Sequence, residues 1–277
     1  MIQGDGNEQA TRRRRPPAAC DDPPGSAGGP VLTGASLRGS GHHVTRESTA
    51  PQALEPPEHA LPAAGRVLAV CAHPDDESFG LGGILGTYAD QGAGVGVLCL
   101  TRGEASTLAA TDVDLATART AELACATREL GVGRRWHRDY PDGELAAQPL
   151  AWLVDEVRHV LTEYRPDLVV AFDPDGITGH PDHQRATRAA VSAADRARLP
   201  VLAWYVPAVV ADTVNAEFGT DFVATTVERG GLHVAVDRRR QRRAIACHRS
   251  QRGARALVER RLELLGSCEH LRPLTAG

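Results

Sequence analysis

The stretch Arg66-Val-Leu-Ala-Val-Cys-Ala-His-Pro-Asp-Asp-Glu77 decides the fold. Its first half is a short apolar run of the kind that forms a strand buried on both faces. Its second half, five polar or turn-forming residues in a row, cannot stay in a core. Gly80, Gly82 and Gly83, with Leu81, Ile84, Leu85 and Tyr88, then open a helix. The pattern recurs a hundred residues on. Leu168-Val-Val-Ala-Phe172 is a buried strand, Asp173-Pro-Asp-Gly-Ile-Thr-Gly-His-Pro-Asp-His183 is a polar turn, and a helix follows from about Gln184 to Ala197.

The rest of the chain fits round these two units. Gly94–Leu100 reads as a strand, followed by the loop Thr101-Arg-Gly-Glu104. Leu115–Leu130 has helical period and is closed by Gly131. Trp136-His137 lies on a short strand. Leu150–Tyr164 is an amphipathic helix stopped by Pro166, with Trp152, Leu153, Val157 and Leu161 as its core face. Val201–Val206 is a strand, and Phe222–Val227 with Leu232–Val236 predicts a hairpin round Gly230-Gly231. An arginine-rich helical region, roughly Arg238 to Leu265, follows, and its Arg238–Arg243 run reads as a solvated face. Strands alternating with helices imply an α/β protein, a Rossmann-like three-layer sandwich with a mostly parallel sheet. Ligands in such sheets bind beyond the carboxyl ends of the strands. Both His/Asp segments fall there, so they can face each other across one crevice. The loops after the strands read as short, leaving little lid for a bulky second group.

Composition narrows the class. The 277 residues carry 42% hydrophobic side chains, enough for a real core, and a net charge of −4. A weakly acidic chain is a poor general binder of nucleic acid or anionic membrane. Aromatics at 4% give no stacking platform for single strands, and no apolar run approaches the length of a membrane span. All 31 basic residues are arginine, which excludes lysine chemistry. No GxGxxG follows the first strand, so a dinucleotide site is not expected. Residues 1–62 are rich in Gly, Pro, Ser and Arg without helix or strand period, and read as a disordered tail in which His42-His43 is incidental. Residues 63–277 form the folded domain. The six cysteines include no CxxC pair, and the start of the chain lacks the apolar core of a signal peptide; reduced thiols and a cytoplasmic location are expected.

Taken singly, His73-Pro-Asp75-Asp76-Glu77 is a helix-capping turn and His180-Pro-Asp182-His183 a satisfied histidine beside a helix start. Together, at two strand ends, they supply histidines and carboxylates to one cleft. Catalytic zinc takes three N/O protein ligands and leaves a position open; non-haem Fe(II) accepts a similar set.

The strand with Ala72-His-Pro-Asp-Asp-Glu77 and the later Gly179-His-Pro-Asp-His183 resemble the LmbE/PIG-L-like de-N-acetylases, zinc amidases that remove acetyl from N-acetylglucosaminyl groups. Family members act in thiol biosynthesis (mycothiol, bacillithiol), antibiotic tailoring and GPI-anchor synthesis. The resemblance runs from about Val67 to Gln251, and Thr101-Arg-Gly-Glu104, Arg119-Thr-Ala-Glu-Leu123 and His248-Arg-Ser-Gln251 agree with it. It implies that His73, Asp76 and His183 bind zinc, with Fe2+ an alternative. It implies that Asp75 is the base taking a proton from the attacking water. His180 would stabilise the oxyanion or protonate the leaving amine, with Asp182 orienting it and raising its pKa. Arg119 and Asp142 would contact sugar hydroxyls, with Asp139 a second candidate for the latter. Thr178 stands where some relatives carry a tyrosine that touches the substrate carbonyl. Glu77 either favours the helix dipole or orients a ligand histidine. The expected activity is hydrolysis of the N-acetyl group of a small amino-sugar substrate. The rival readings are an amidase on another amide, such as a thiol conjugate, and a sugar-binding relative without catalysis.

Overall fold

A computed structural model describes residues 57–108, 114–225 and 231–274. The elements are β1 (Arg66–Cys71), α1 (Asp76–Phe79), α2 (Gly82–Asp90), β2 (Gly94–Thr101), α3 (Leu115–Leu130), β3 (Arg134–Tyr140), α4 (Leu150–Tyr164), β4 (Leu168–Phe172), α5 (Pro181–Ala197), β5 (Val201–Trp204), α6 (Ala208–Phe218), β6 (Leu232–Ala235), α7 (Arg239–Cys247), α8 (Arg255–Leu265) and β7 (Cys268–Leu274). The seven strands form one sheet in the order β3-β2-β1-β4-β5-β7-β6. The first five are parallel, and β7 runs antiparallel to both β5 and β6.

The parallel strands are apolar because both faces are covered. Val67, Ala69 and Cys71 face one layer with Leu81, Ile84 and Leu85, while Leu68 and Val70 face the other with Leu153, Val157, Ala189 and Ala193. The three-layer α/β fold is therefore as the sequence predicts. Chain order reverses at β1, which has β2 on one side and β4 on the other. That reversal splays the loops after β1 and β4 apart and opens the ligand crevice of a doubly wound sheet.

Several elements differ from expectation. The helix after His180 begins at Pro181, which suits the first helical position because its missing N–H costs nothing there. The predicted hairpin is not formed. Leu232–Ala235 pairs with β7, Phe222–Ala224 are not in a strand, and 226–230 lie outside the described residues. α6 and β7 carry little periodicity of their own and were not foreseen. The long arginine-rich helix is two helices, α7 and α8, broken by a 3-10 turn over Arg249–Ala254. Trp152 is 60% exposed, so the core face of α4 starts at Leu153. Arg238 is not solvated: it is buried, paired with Glu269, and donates to Gln241 and to the Cys268 carbonyl. Arg240 and Arg243 pair with Asp90 and Glu129. The loop between β2 and α3 is long, and it forms part of the cavity wall described below.

Two further corrections concern the tail and the thiols. The expected tail lies, as far as residue 56, outside the described residues, and so do His42 and His43. Its last part docks on the domain: the Glu58 and His59 amides donate to the His233 carbonyl, Leu61 is buried, and Tyr88 Oη donates to the Pro62 carbonyl. Cys125 on α3 and Cys247 at the end of α7 form a disulfide, where reduced thiols were expected. Spacing could not show this, because 122 residues separate the two. Cys71, Cys99 and Cys268 are free and buried. Among the described residues no helix is long and apolar enough to cross a membrane.

Candidate active site

β1 and β4 are neighbours, with Val67 opposite Leu168 and Ala69 opposite Val170. The two His/Asp turns that leave their carboxyl ends therefore meet. They line a cavity of about 560 Å³ together with the 105–108 loop and one face of α8.

The first turn is braced from within. Asp76 Oδ2 accepts the Ala72 and His73 amides at 3.0 and 2.9 Å. Asp75 takes φ 122°, a backbone state that costs a non-glycine residue about 1–3 kcal/mol and persists only when its surroundings enforce it. Here the Asp75 amide donates to Glu77 Oε2 at 2.9 Å, and Arg119 Nη2 donates to Asp75 Oδ2 at 2.9 Å. Arg119 is buried and also donates to the Pro74 and Gly103 carbonyls. A Cβ on Gly103, which has φ 68°, would lie 2.3 Å from the Arg119 guanidinium, so the Thr-Arg-Gly-Glu loop needs glycine at that position. The resemblance put Arg119 against sugar hydroxyls. Arg119 lines the cavity, but its Nη1 and Nη2 groups are directed at Asp75 and two carbonyls, where they hold the strained turn; Nε has no partner.

Glu77 and His248 form a second brace. The Glu77 carboxylate is fully buried, 2.8 Å from His248 Nε2, and accepts the Ser78 hydroxyl. Burial pushes Glu77 up, but His248 outweighs it and the carboxyl lies below its ordinary range. Glu77 thus serves neither the helix dipole alone nor a ligand histidine; it ties the turn to the end of α7.

The imidazoles show where a cation fits. His73 Nε2 faces Asp142 Oδ1 at 3.1 Å and Asp182 Oδ2 at 3.2 Å, so it carries the proton and leaves Nδ1 as a lone pair. His183 Nδ1 lies 3.0 Å from the Gly176 carbonyl, which likewise leaves Nε2 unprotonated. These two lone pairs face each other at 3.1 Å, and Asp76 Oδ1 stands 3.2 Å from His183 Nε2. With both rings neutral, two imidazole nitrogens and one carboxylate oxygen converge as donors to a single point. Such a set fits a small divalent cation. His180 offers a further nitrogen within 4.8 Å of His73 and His183. The other convergent group, His73 with Asp142 and Asp182, lies on the protonated side of His73, and both Asp182 oxygens already accept backbone amides, from Gly143 and Leu145.

The electrostatics follow the same map. Burial alone would lower His73, but the carboxylates of Asp142, Asp182 and Asp76 outweigh it and push it up to about 10. Either a second proton or a metal ion at Nδ1 answers this demand for positive charge. Burial would raise Asp76, yet His183 and His73 hold it well below the usual carboxylate range. Asp75 is different: burial pushes it up to about 6 despite the Arg119 guanidinium.

Asp182 corrects an expectation. Its carboxylate orients His73 and not His180, and only its backbone amide reaches His180, donating to Nδ1 at 3.2 Å. Asp182 does raise the pKa of His180, as expected, but burial, reinforced by His183 and His73, outweighs it and the net shift is downward. The neutral ring carries its proton on Nε2. Asp142 and Thr178 line the cavity, while Asp139 is exposed and belongs to a surface contact with Arg102. Trp204, Phe222, Val258 and Arg261 also line the cavity, and no motif in the sequence marks them as site residues. They come from β5, α8 and an irregular stretch.

Residues 68–194 match the protein family described as PIG-L: GlcNAc-PI de-N-acetylase. These residues contain both His/Asp turns and α3. Over that stretch, a little under half of its length, the chain is similar to that family. A protein of Kineococcus radiotolerans named 1D-myo-inositol 2-acetamido-2-deoxy-alpha-D-glucopyranoside deacetylase is 38% identical over 175 residues, 50% of this chain and 48% of that one. One of the same name from Streptomyces griseus is 38% identical over 200 residues, 60% and 61% of the two chains. The chain thus spans about half to three-fifths of the length of these curated relatives. A deacetylase of the teicoplanin biosynthesis pathway, solved as a complex, has the same fold, with TM-score 0.61 at 22% identity over 75% of this chain and 97% of that one. So does 4-carboxy-2-hydroxymuconate hydratase from Pseudomonas putida, with TM-score 0.56 at 20% identity, covering 76% of this chain and 97% of that one. Likeness at that distance speaks for the fold alone, since one fold hosts both deacetylases and a hydratase. The matched residues end within α5, so the wall built by Trp204, Phe222 and Arg261 lies beyond them.

Proposed function

We propose that this protein hydrolyses the N-acetyl amide of an N-acetylglucosamine-containing small molecule, with a divalent metal, zinc or Fe(II), as cofactor. The observation that carries the reading is the convergence of the His73, Asp76 and His183 lone pairs beside Asp75 in an open cavity. The names of the relatives above support the substrate class.

His73 Nδ1, His183 Nε2 and Asp76 would hold the metal. A divalent cation there acidifies water and polarises an amide carbonyl. Asp75 is the base. Its pKa of about 6 leaves it ionised at neutral pH yet close enough to accept a proton, and Arg119 fixes Oδ2. His180 faces the other side: its Nδ1 accepts the Asp182 amide, so Nε2–H is a hydrogen-bond donor for the developing oxyanion, while the proton that Asp75 takes from the water is the one passed to the departing amine. Asp142 and Thr178 line the space where sugar hydroxyls would sit.

Acetate release from a panel of N-acetylglucosaminides by the metal-loaded full chain tests the reading. Asp75→Asn should keep its metal and lose about 10²–10⁴ in kcat. No acetate from any amino sugar, with release from other amides, would assign the site to a different amide.

A further inference from the structure

The wall opposite the carboxylates is aromatic and carries one charge. Arg261, on α8, is 5% exposed and lines the cavity. Its guanidinium lies 5.0 Å over the Trp204 ring and 5.9 Å from that of Phe222. Nη2 donates to the Phe79 carbonyl, Nε is buried without a partner, and no carboxylate of the described residues pairs with it. Glu269, the acidic group nearest in charge, is already committed: one oxygen accepts from Trp204 Nε1 at 2.6 Å and the other pairs with Arg238. Burial draws Arg261 down to about 10, with Arg238 opposing its charge and Glu269 supporting it, so the group is cationic at neutral pH.

An uncompensated buried guanidinium is costly, and aromatic faces return only part of that cost. Arg119 shows the contrast in charge: it is equally buried and its Nε is likewise unpartnered, but it is salt-bridged to Asp75. A planar fork of unspent donors at the edge of a cavity fits an oxyanion bound through two N–H groups. A ladder of rings measures its reach from the hydrolytic groups. His183 to Phe172 is 4.9 Å, Phe172 to Trp204 is 5.3 Å, and Trp204 to Arg261 is 5.0 Å. Apolar side chains, Phe172, Trp204, Leu257 and Val258 among them, line the space between.

We propose that Arg261 is the anion-binding residue of an active-site subsite, so that the substrate carries a carboxylate or phosphate separated from its N-acylated sugar by an apolar spacer. The proposal rests on the function above and names the substrate class of the same site. The spacer lies along the Phe172–Trp204 face and the oxyanion pairs with Arg261. Trp204 is held for this role by Glu269, and Gly80 lets the rings close up, because a Cβ there would meet Phe172 at 2.4 Å.

Calorimetry on the metal-loaded full chain tests it with three ligands: phenyl glucosaminide and its 4-carboxyphenyl and 4-phosphophenyl counterparts. These are already deacetylated, so nothing turns over. At least one anionic ligand should bind about tenfold or more tighter than the neutral one, and which one tells carboxylate from phosphate. That ratio should collapse towards unity in Arg261→Met and survive in part in Arg261→Lys. A ratio near one in the wild-type protein overturns the proposal, whether or not the variants fold. A ratio unchanged in Arg261→Met overturns it too and leaves Arg261 as packing. Acetate release from the matching N-acetyl compounds keeps the two readings apart. Selective anion binding without acetate release would sink the deacetylase reading alone, and acetate release with no anion preference would sink this one alone.

Discussion

His73 Nδ1 and His183 Nε2 face each other at 3.1 Å, each with its other ring nitrogen directed at an acceptor. Two imidazole nitrogens at that distance need a proton or a metal ion between them, and Asp76 beside His183 favours the higher charge. Stripping metal from the protein should therefore lower its thermal midpoint, and returning zinc should restore it. Binding at a hundred times Kd is worth about 2.7 kcal/mol. In His183→Ala the zinc-dependent rise should vanish, along with stoichiometric metal by elemental analysis. Full zinc content in that variant would remove His183 from the ligand set.

Asp182 grips His73 Nε2 while its oxygens accept the Gly143 and Leu145 amides. It acts on the metal through His73. Asp182→Asn should weaken zinc affinity about 10–100-fold, read by competition with a chelating dye. If affinity holds and only the pH profile of turnover moves, Asp182 serves His180 after all.

His270 is buried on β7 with both ring nitrogens unpartnered, and burial, His233 and Arg238 push it down to about 4. The unfolded chain protonates it near 6.5. Between those values the unfolded state binds more protons, so stability is complete above about pH 6.5 and is lost as pH falls towards 4. The loss is on the order of 2–3 kcal/mol. Urea midpoints at pH 7 and pH 5 should differ less in His270→Phe than in the wild type. Equal slopes would mean that other groups set the acid limit.

The Cys125–Cys247 bridge joins α3, which carries Arg119, to the end of α7, which carries His248. Closing so long a loop stabilises by about 2–4 kcal/mol. For a domain of this size, a reductant should lower the thermal midpoint by roughly 5–10 °C. The Cys125→Ser/Cys247→Ser variant should already melt there and ignore the reductant. A wild-type midpoint indifferent to reductant would show that the helices pack as well without the bond.

The sequence made legible whatever local patterning encodes. α3, α4 and β4 begin and end where period, Gly131 and Pro166 place them, because amphipathic spacing and breakers act within a few residues. The two His/Asp turns could be placed at strand ends for the same reason. What stayed hidden depends on contacts between distant segments. β7 is a short mixed run whose strand state comes from lying between β5 and β6. Arg238 looks like any member of a basic run until Glu269, thirty-one residues on, is found beside it. Trp204 and Arg261 share no motif, and only the packing of α8 over the end of β5 brings them together. Asp182 and His180 are two residues apart, and the resemblance pairs them, whereas the first turn of α5 brings the Asp182 carboxylate to His73.

β7 occupies an internal place in the sheet although it follows β5 and β6 in the chain. A nascent polypeptide leaving the ribosome can assemble β1 to β5, and with them the His/Asp half of the cavity, while β6 still waits for its ladder partner. Glu269, which secures both Trp204 and Arg238, arrives only with that last strand. By chain order the rings of Phe172 and Trp204 come with the hydrolytic half, whereas Arg261 on α8 and Glu269 on β7, the charges that would select what is cut, follow it.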